Sequence, residues 1–176
     1  MKKNKKKIKI GVLGGTFDPA HKGHLEISRK AKNIYALQYV IWAITKKNPF
    51  KNKSKTNLNS RIKFAKQIIG KNKFIKVKFF EEIIKSNKTI NLIEYLKKKN
   101  ILLNIYFIMG ADNLINFHKW YKWKSISKKC NILVFDRHGY KAKALKSNTF
   151  KKLKKNNLEF IKFKKINISS SKLRKI

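Results

Sequence analysis

Residues 8–24 read IKIGVLGGTFDPAHKGH. A short apolar run ends at Gly14 and Gly15, which is typical of a strand that enters a tight turn. His21 and His24 follow at a spacing of three, so a helix beginning within this segment would direct both imidazoles toward one place. Glycines let backbone amides approach an anion because no Cβ intervenes. The first N–H groups of a helix attract the same anion.

These residues alone leave three interpretations open. Residues 14–24 could bind phosphate, and we call them the phosphate cradle. The two histidines could instead bind a metal, but zinc takes four ligands and only Asp18 lies near enough in sequence to join them. A glycine pair after a strand could also be an ordinary α/β turn. The combination of glycines, a helix start and two imidazoles favours the phosphate interpretation.

The rest of the chain alternates between strand-like and helix-like patterns. Apolar runs and alternation predict strands over 8–13, 39–44, 74–80, 105–109, 132–135 and 158–163, and helical spacing predicts helices over 24–35, 58–69 and 89–99. Strands separated by helices indicate right-handed βαβ units. We therefore predict one Rossmann-like α/β domain over residues 1–176, with a mostly parallel sheet flanked by helices. Ligands in such folds bind at the carboxyl ends of the strands.

Composition limits the class of protein. Hydrophobic residues make up 42% of the 176, enough for a core, and no window is apolar enough to span a membrane, so we expect a cytoplasmic protein. The net charge is +38, and 42 of the 46 basic residues are lysines. These lysines are spread along the chain and no nucleic-acid-binding module is present, so we expect no specific nucleic-acid partner. The single cysteine, Cys130, opens an apolar run and is predicted to be buried.

The segment from Thr16 to His24 resembles the (T/S)-F-D-P-x-H-x-G-H signature of a nucleotidyltransferase superfamily. The resemblance implies that an acceptor phosphate attacks the α-phosphate of ATP in line, with Mg²⁺ present and pyrophosphate leaving. It also implies that His21 and His24 contact the phosphates and stabilise the transition state. The residues expected to bind ATP in the cradle are Gly14, Gly15, Thr16 and Phe17.

A second block, MGADNLINFHKW at residues 109–120, is similar to the G-x-D-x-(3–4 residues)-F-x-x-W block of bacterial nicotinate-mononucleotide adenylyltransferases. The resemblance implies that Asp112 binds a ribose hydroxyl and that Trp120 and Tyr121 hold the nicotinate ring. A separate stretch, TINL at residues 89–92, is similar to the helix start that lies near the acidic substrate in this family, which implies a binding role for Thr89. Judged from the residues alone, this aromatic cluster suits either a flat ligand ring or a hydrophobic corner that anchors a loop.

The C-terminal segment ISSSKLR at residues 168–174 is similar to the I-S-S-T-x-I-R of the same family. It implies that Ser170, Ser171 and Arg174 hold the terminal phosphates of ATP. Many members have P-P-H-K where this chain has NPFK at residues 48–51, so the histidine's role is not carried over to Phe50. Lys51 remains as the cation of that loop.

The resemblance as a whole implies that ATP and nicotinate mononucleotide are the substrates and that deamido-NAD is the product. A pantetheine-phosphate adenylyltransferase is the nearest alternative, because it shares the first motif. Nicotinamide mononucleotide is a second candidate substrate, since an amide and a carboxylate differ by one atom. A homo-oligomer is compatible with the sequence.

Overall fold

A computed structural model of the chain describes residues 7–48, 54–153 and 157–163. The strands are β1 (Ile8–Gly15), β2 (Tyr39–Ile44), β3 (Ile75–Phe79), β4 (Leu103–Gly110), β5 (Asn131–Phe135) and β6 (Leu158–Ile161). The helices are α1 (Lys22–Tyr35), α2 (Leu58–Ile69), α3 (Thr89–Lys99), α4 (Ala111–Ile115), α5 (Trp123–Lys129), α6 (Lys141–Lys146) and α7 (Asn148–Leu153). A 3₁₀ turn spans Phe117–Lys119.

The six strands form one parallel sheet in the order β3-β2-β1-β4-β5-β6. The chain builds outward from β1 to β3 and then crosses back to place β4 on the other side of β1. This reversal opens a crevice at the carboxyl ends of β1 and β4, where ligands bind in open α/β sheets. The predicted Rossmann-like α/β class is therefore confirmed.

The core lies on both faces of the sheet, as a parallel sheet requires. Val12 of β1 packs on the face that α3 and α5 cover, and its neighbour Leu13 packs on the face that α1 and α2 cover. The continuous burial of Val40–Ile44 in β2 confirms the prediction of a strand covered on both sides. Cys130 is buried, as predicted, and burial raises the pKa of its thiol to about 12.

Predicted and observed elements agree best where apolar spacing is regular. The bounds of α2 and α3 match the predictions, and α2 begins where the Asn57 side chain accepts a hydrogen bond from the Ser60 N–H at 2.8 Å. Helix α1 starts two residues earlier than predicted, at Lys22. Helices α5, α6 and α7 were not predicted. In the part of the chain that the structure describes, no helix has the length and apolar character needed to cross a membrane.

Candidate active site

The two histidines of the cradle lie side by side at the start of α1. His21 is the N-cap residue, and His24 lies in the first turn. Their ring centroids are 3.8 Å apart, and the His21 backbone N–H donates to Nδ1 of His24 at 3.2 Å. Because Nδ1 of His24 accepts this bond, a neutral His24 carries its proton on Nε2. Nε2–H is then a donor suited to a phosphate oxygen.

A buried aromatic stack supports the His24 ring. Phe17 is 2% exposed, with its ring centroid 5.0 Å from Trp42 and 4.7 Å from His24. Trp42 Nε1 donates to Ser28 Oγ at 2.8 Å, and that hydroxyl donates to the His24 carbonyl at 2.8 Å. The buried Phe17 side chain therefore packs against His24, and any contact that Phe17 makes with ATP would come from its backbone.

The His21 ring lies in a partly buried, positively charged setting. Burial, and after it the charge of Arg137, lower the pKa of His21 to about 4. Arg137 follows β5, and its Nη1 is 2.6 Å from Oδ2 of Asp112. Without a bound anion, His21 is therefore neutral near pH 7. An anion bound next to the His21 ring would favour its protonated form. The expected ribose ligand Asp112 lies in this ion pair, beside the cradle.

A cavity of about 410 Å³ adjoins the cradle at the carboxyl ends of β1, β2 and β3. Gly14 and Gly15 belong to its wall, so the cradle and the cavity share this boundary. We call it the acceptor cavity. Its other lining residues are Ala43, Ile44, Thr45, Lys47, Asn48, Phe80, Glu81, Ile84, Ser86, Asn87, Lys88, Thr89, Leu92, Phe107, Asn113, Lys119, Trp120 and Tyr121.

The aromatic residues predicted for the nicotinate ring both line this cavity. The Trp120 ring is half-buried, with its centroid 6.0 Å from Phe107 and 5.2 Å from Phe117, and Tyr121 is 54% exposed. The two interpretations of this cluster therefore both describe Trp120, which anchors a corner and also forms a wall. Thr89, at the first turn of α3, also lines the cavity.

The predicted site residues thus fall into three groups. The cavity brings together Gly14, Gly15, Thr89, Trp120 and Tyr121. Thr16, Phe17, His21, His24 and Asp112 lie in or beside the cradle. Lys51, Ser170, Ser171 and Arg174, together with Phe50, lie outside the described residues.

The sequence analysis assigned no function to Arg137. Its charge acts on His21 and its ion pair holds Asp112, so it belongs to the site. Its rarity was the available signal, because only four of the chain's basic residues are arginines.

Comparison with known proteins identifies the family of the chain. The profile of the cytidylyltransferase-like family matches residues 12–176. A Pelagibacter ubique protein named "Probable nicotinate-nucleotide adenylyltransferase" is 73% identical over 98% of this chain and 96% of its own length. A protein of the same name from a Nitratiruptor species is 35% identical over 76% of each chain.

A solved structure, "Plasmodium falciparum nicotinic acid mononucleotide adenylyltransferase complexed with NaAD", superposes with a TM-score of 0.77. It is 20% identical and aligned over 96% of this chain and 83% of its own, so this likeness concerns the fold. The family profile and the named relatives identify the chain as a nucleotidyltransferase. The chain belongs to the cytidylyltransferase-like family and, within it, to the nicotinate-nucleotide adenylyltransferases.

Proposed function

We propose that this protein transfers the adenylyl group of ATP to nicotinate mononucleotide, giving deamido-NAD and pyrophosphate. The observation that carries the proposal is the boundary at Gly14 and Gly15. On one side lie His21 and His24 at a helix start, and on the other lies a cavity walled by Trp120. In this proposal the two nucleotides bind on either side of the turn at Gly14 and Gly15, and their phosphates meet there. The family membership supports the same reaction.

In this reaction a phosphate oxygen of nicotinate mononucleotide forms a bond to the α-phosphorus of ATP. The bond from that phosphorus to the oxygen bridging to the β-phosphate breaks, and the electron pair leaves with pyrophosphate. No residue needs to form a covalent intermediate, so catalysis rests on positioning and charge stabilisation. The Nε2–H of His24 donates to a phosphate oxygen, and the negative charge of the phosphates raises the pKa of the nearby His21.

We expect Mg²⁺ to bind at this site together with ATP. Across residues 7–48, 54–153 and 157–163, no three His, Cys, Asp or Glu side chains group together as metal ligands. Mg²⁺ commonly keeps several waters and binds substrate phosphates with few protein ligands. We therefore infer that Mg²⁺, when it binds together with ATP, would neutralise negative charge on the departing pyrophosphate. The protein's own residues bind and orient the two nucleotides.

The cavity wall favours an acidic substrate over its amide. Lys47, Lys88 and Lys119 all line the cavity, and Glu81 is its only acidic lining residue within the described part of the chain. The Glu81 carboxylate already accepts hydrogen bonds, from the Thr45 hydroxyl and from a backbone N–H. The net positive wall attracts a carboxylate more than an uncharged amide. We infer that nicotinate mononucleotide is preferred over nicotinamide mononucleotide, and that the enzyme works in the cytoplasm, where ATP is supplied.

Isotope transfer tests the chemistry directly. Purified protein is given nicotinate mononucleotide, Mg²⁺ and ATP labelled in either the α- or the γ-phosphate. The proposal expects α-label in a product with the mass of deamido-NAD and γ-label in pyrophosphate. Transfer of the γ-label to the nicotinate nucleotide would indicate phosphoryl transfer instead, and would overturn the proposal.

A further inference from the structure

Arg61 of α2 is buried, with 3% of its surface exposed, and its guanidinium donates four hydrogen bonds to backbone carbonyls. Nη1 donates to the Thr16 carbonyl at 2.6 Å and to the Thr45 carbonyl at 2.8 Å. Nη2 donates to the Lys46 carbonyl at 3.3 Å, and Nε donates to the Thr56 carbonyl at 3.1 Å. One guanidinium thus joins three separate segments of the chain.

Two carboxylates balance the buried charge. Burial lowers the pKa of Arg61, and the negative charges of Asp18 and Glu81 act against that change. Asp18, itself 1% exposed, accepts a hydrogen bond from the Lys55 N–H at 2.8 Å. Glu81 accepts one from the Lys46 N–H at 3.3 Å and another from the Thr45 hydroxyl. A buried charge needs such partners, because an unpaired one is strongly destabilising.

The segments that meet at Arg61 belong to both halves of the site. Thr16 is part of the phosphate cradle, immediately after the Gly14–Gly15 boundary. Thr45 lines the acceptor cavity, as do Lys47 and Asn48 just beyond it. Arg61 therefore links the cradle to this cavity wall through its side chain, in addition to the backbone hydrogen bond that the Thr45 N–H donates to the Gly15 carbonyl at 3.0 Å. The Arg61 side chain itself lies outside the cavity lining.

We propose that Arg61 is a positioning residue for adenylyl transfer. Its hydrogen bonds hold the wall of the acceptor cavity in a fixed position relative to the phosphate cradle. This inference rests on the proposed function. Its geometry requires an arginine, because a planar guanidinium presents five N–H donors in fixed directions. A lysine has three donors on one nitrogen and cannot reach four carbonyls from three segments.

The test compares Arg61→Lys and Arg61→Ala with wild type and with Arg29→Lys. Arg29 is a matched control on α1, where its side chain is 44% exposed and pairs with Glu26. Steady-state kinetics would be measured for both substrates, well below the unfolding midpoint of each variant. A displacement of about 1 Å in such a site costs about 10²-fold in rate. We expect Arg61→Lys to stay folded and to lose about 10- to 100-fold in kcat/KM, while Arg29→Lys keeps wild-type values.

A second readout separates positioning from stability. Added guanidinium ion at millimolar concentration should restore part of the turnover of Arg61→Ala and leave wild type and Arg29→Lys unchanged. Wild-type kcat/KM in folded Arg61→Lys, or no rescue of Arg61→Ala, would overturn the inference. Variants unfolded at the assay temperature would mean that Arg61 acts on folding, which also overturns it. If wild type and Arg29→Lys were themselves inactive, the result would instead contradict the proposed function on which this inference rests.

Discussion

Replacing Gly14 with alanine should impair the reaction without harming the fold. Gly14 is exposed at the end of β1 and lines the acceptor cavity. A Cβ built there has ring atoms of Phe107, at 3.7 and 3.9 Å, as its nearest neighbours, which is ordinary van der Waals contact. The fold can therefore accommodate the added methyl group. This methyl group would project into the space where we propose that the nucleotides bind.

The magnitudes follow from these contacts. Gly→Ala at an unstrained position stabilises a protein by about 0.4–1 kcal/mol, because the unfolded chain loses freedom. For a domain of this size that corresponds to a rise in Tm of up to about 4 °C. A nucleotide displaced by about 1 Å loses about 10²-fold in rate. Gly14→Ala should therefore show an unchanged or slightly higher Tm and a kcat/KM about 10- to 100-fold below wild type.

Gly11 in the same strand provides the matched control. A Cβ there would lie 3.0 Å from Ile108 Cδ1 and Val40 Cγ2 and 3.1 Å from Leu37 Cδ1, all in the core. Overpacking of this kind costs about 1–3 kcal/mol, or roughly 2–12 °C in Tm. Gly11→Ala should thus lose stability and keep its activity at low temperature. Calorimetry and initial-rate measurements on both variants test this prediction. A wild-type kcat/KM in Gly14→Ala would show that no substrate binds against Gly14.

Three further predictions concern the histidines and the aromatic wall. His21→Ala and His24→Ala should each lower kcat by about 10²–10³-fold with smaller changes in KM. His118→Ala, an exposed histidine, is the control, and wild-type turnover in either cradle variant would contradict the mechanism. Because the pKa of His21 is about 4 in the folded protein and 6.5 unfolded, the unfolded state binds more protons between these values, so stability falls as pH falls from 6.5 to 4. Denaturant titrations should show a smaller loss for His21→Gln, and an equal loss would count against the assigned pKa. Trp120→Leu should raise KM for nicotinate mononucleotide about 2- to 12-fold through lost aromatic contact, leaving KM for ATP nearly unchanged; equal changes in both would remove Trp120 from the acceptor site.

The cradle could be predicted because its information is local. Residues 8–24 contain the strand, the turn and the helix start. A spacing of three brings the two imidazoles together because His21 is the extended N-cap residue and His24 lies in the first turn of α1. The bounds of α2 and α3 follow in the same way from regular apolar spacing. Thr89 and Trp120 came from the family resemblance, and both line the cavity.

The remaining features depend on contacts between distant segments. Helices α5, α6 and α7 have seven, six and six residues and are rich in lysine, so they carry little periodic signal. Each is fixed by a few buried side chains such as Ile126 and Ala144. Arg61 meets carbonyls 5 to 45 residues away, a geometry that no local pattern encodes. The only cue to it was the scarcity of arginine in a lysine-rich chain.

The most direct test of the proposed adenylyl transfer is a measurement of pyrophosphate release by the purified protein with ATP and Mg²⁺. Nicotinate mononucleotide, nicotinamide mononucleotide and phosphopantetheine would be offered in parallel at equal concentrations. We expect strong release with nicotinate mononucleotide, weaker release with its amide, and none with phosphopantetheine. Pyrophosphate release with phosphopantetheine alone would be consistent with phosphate binding in the cradle but would contradict the assignment of the Trp120 cavity to the nicotinate ring. No release with any of the three substrates would contradict the proposed reaction.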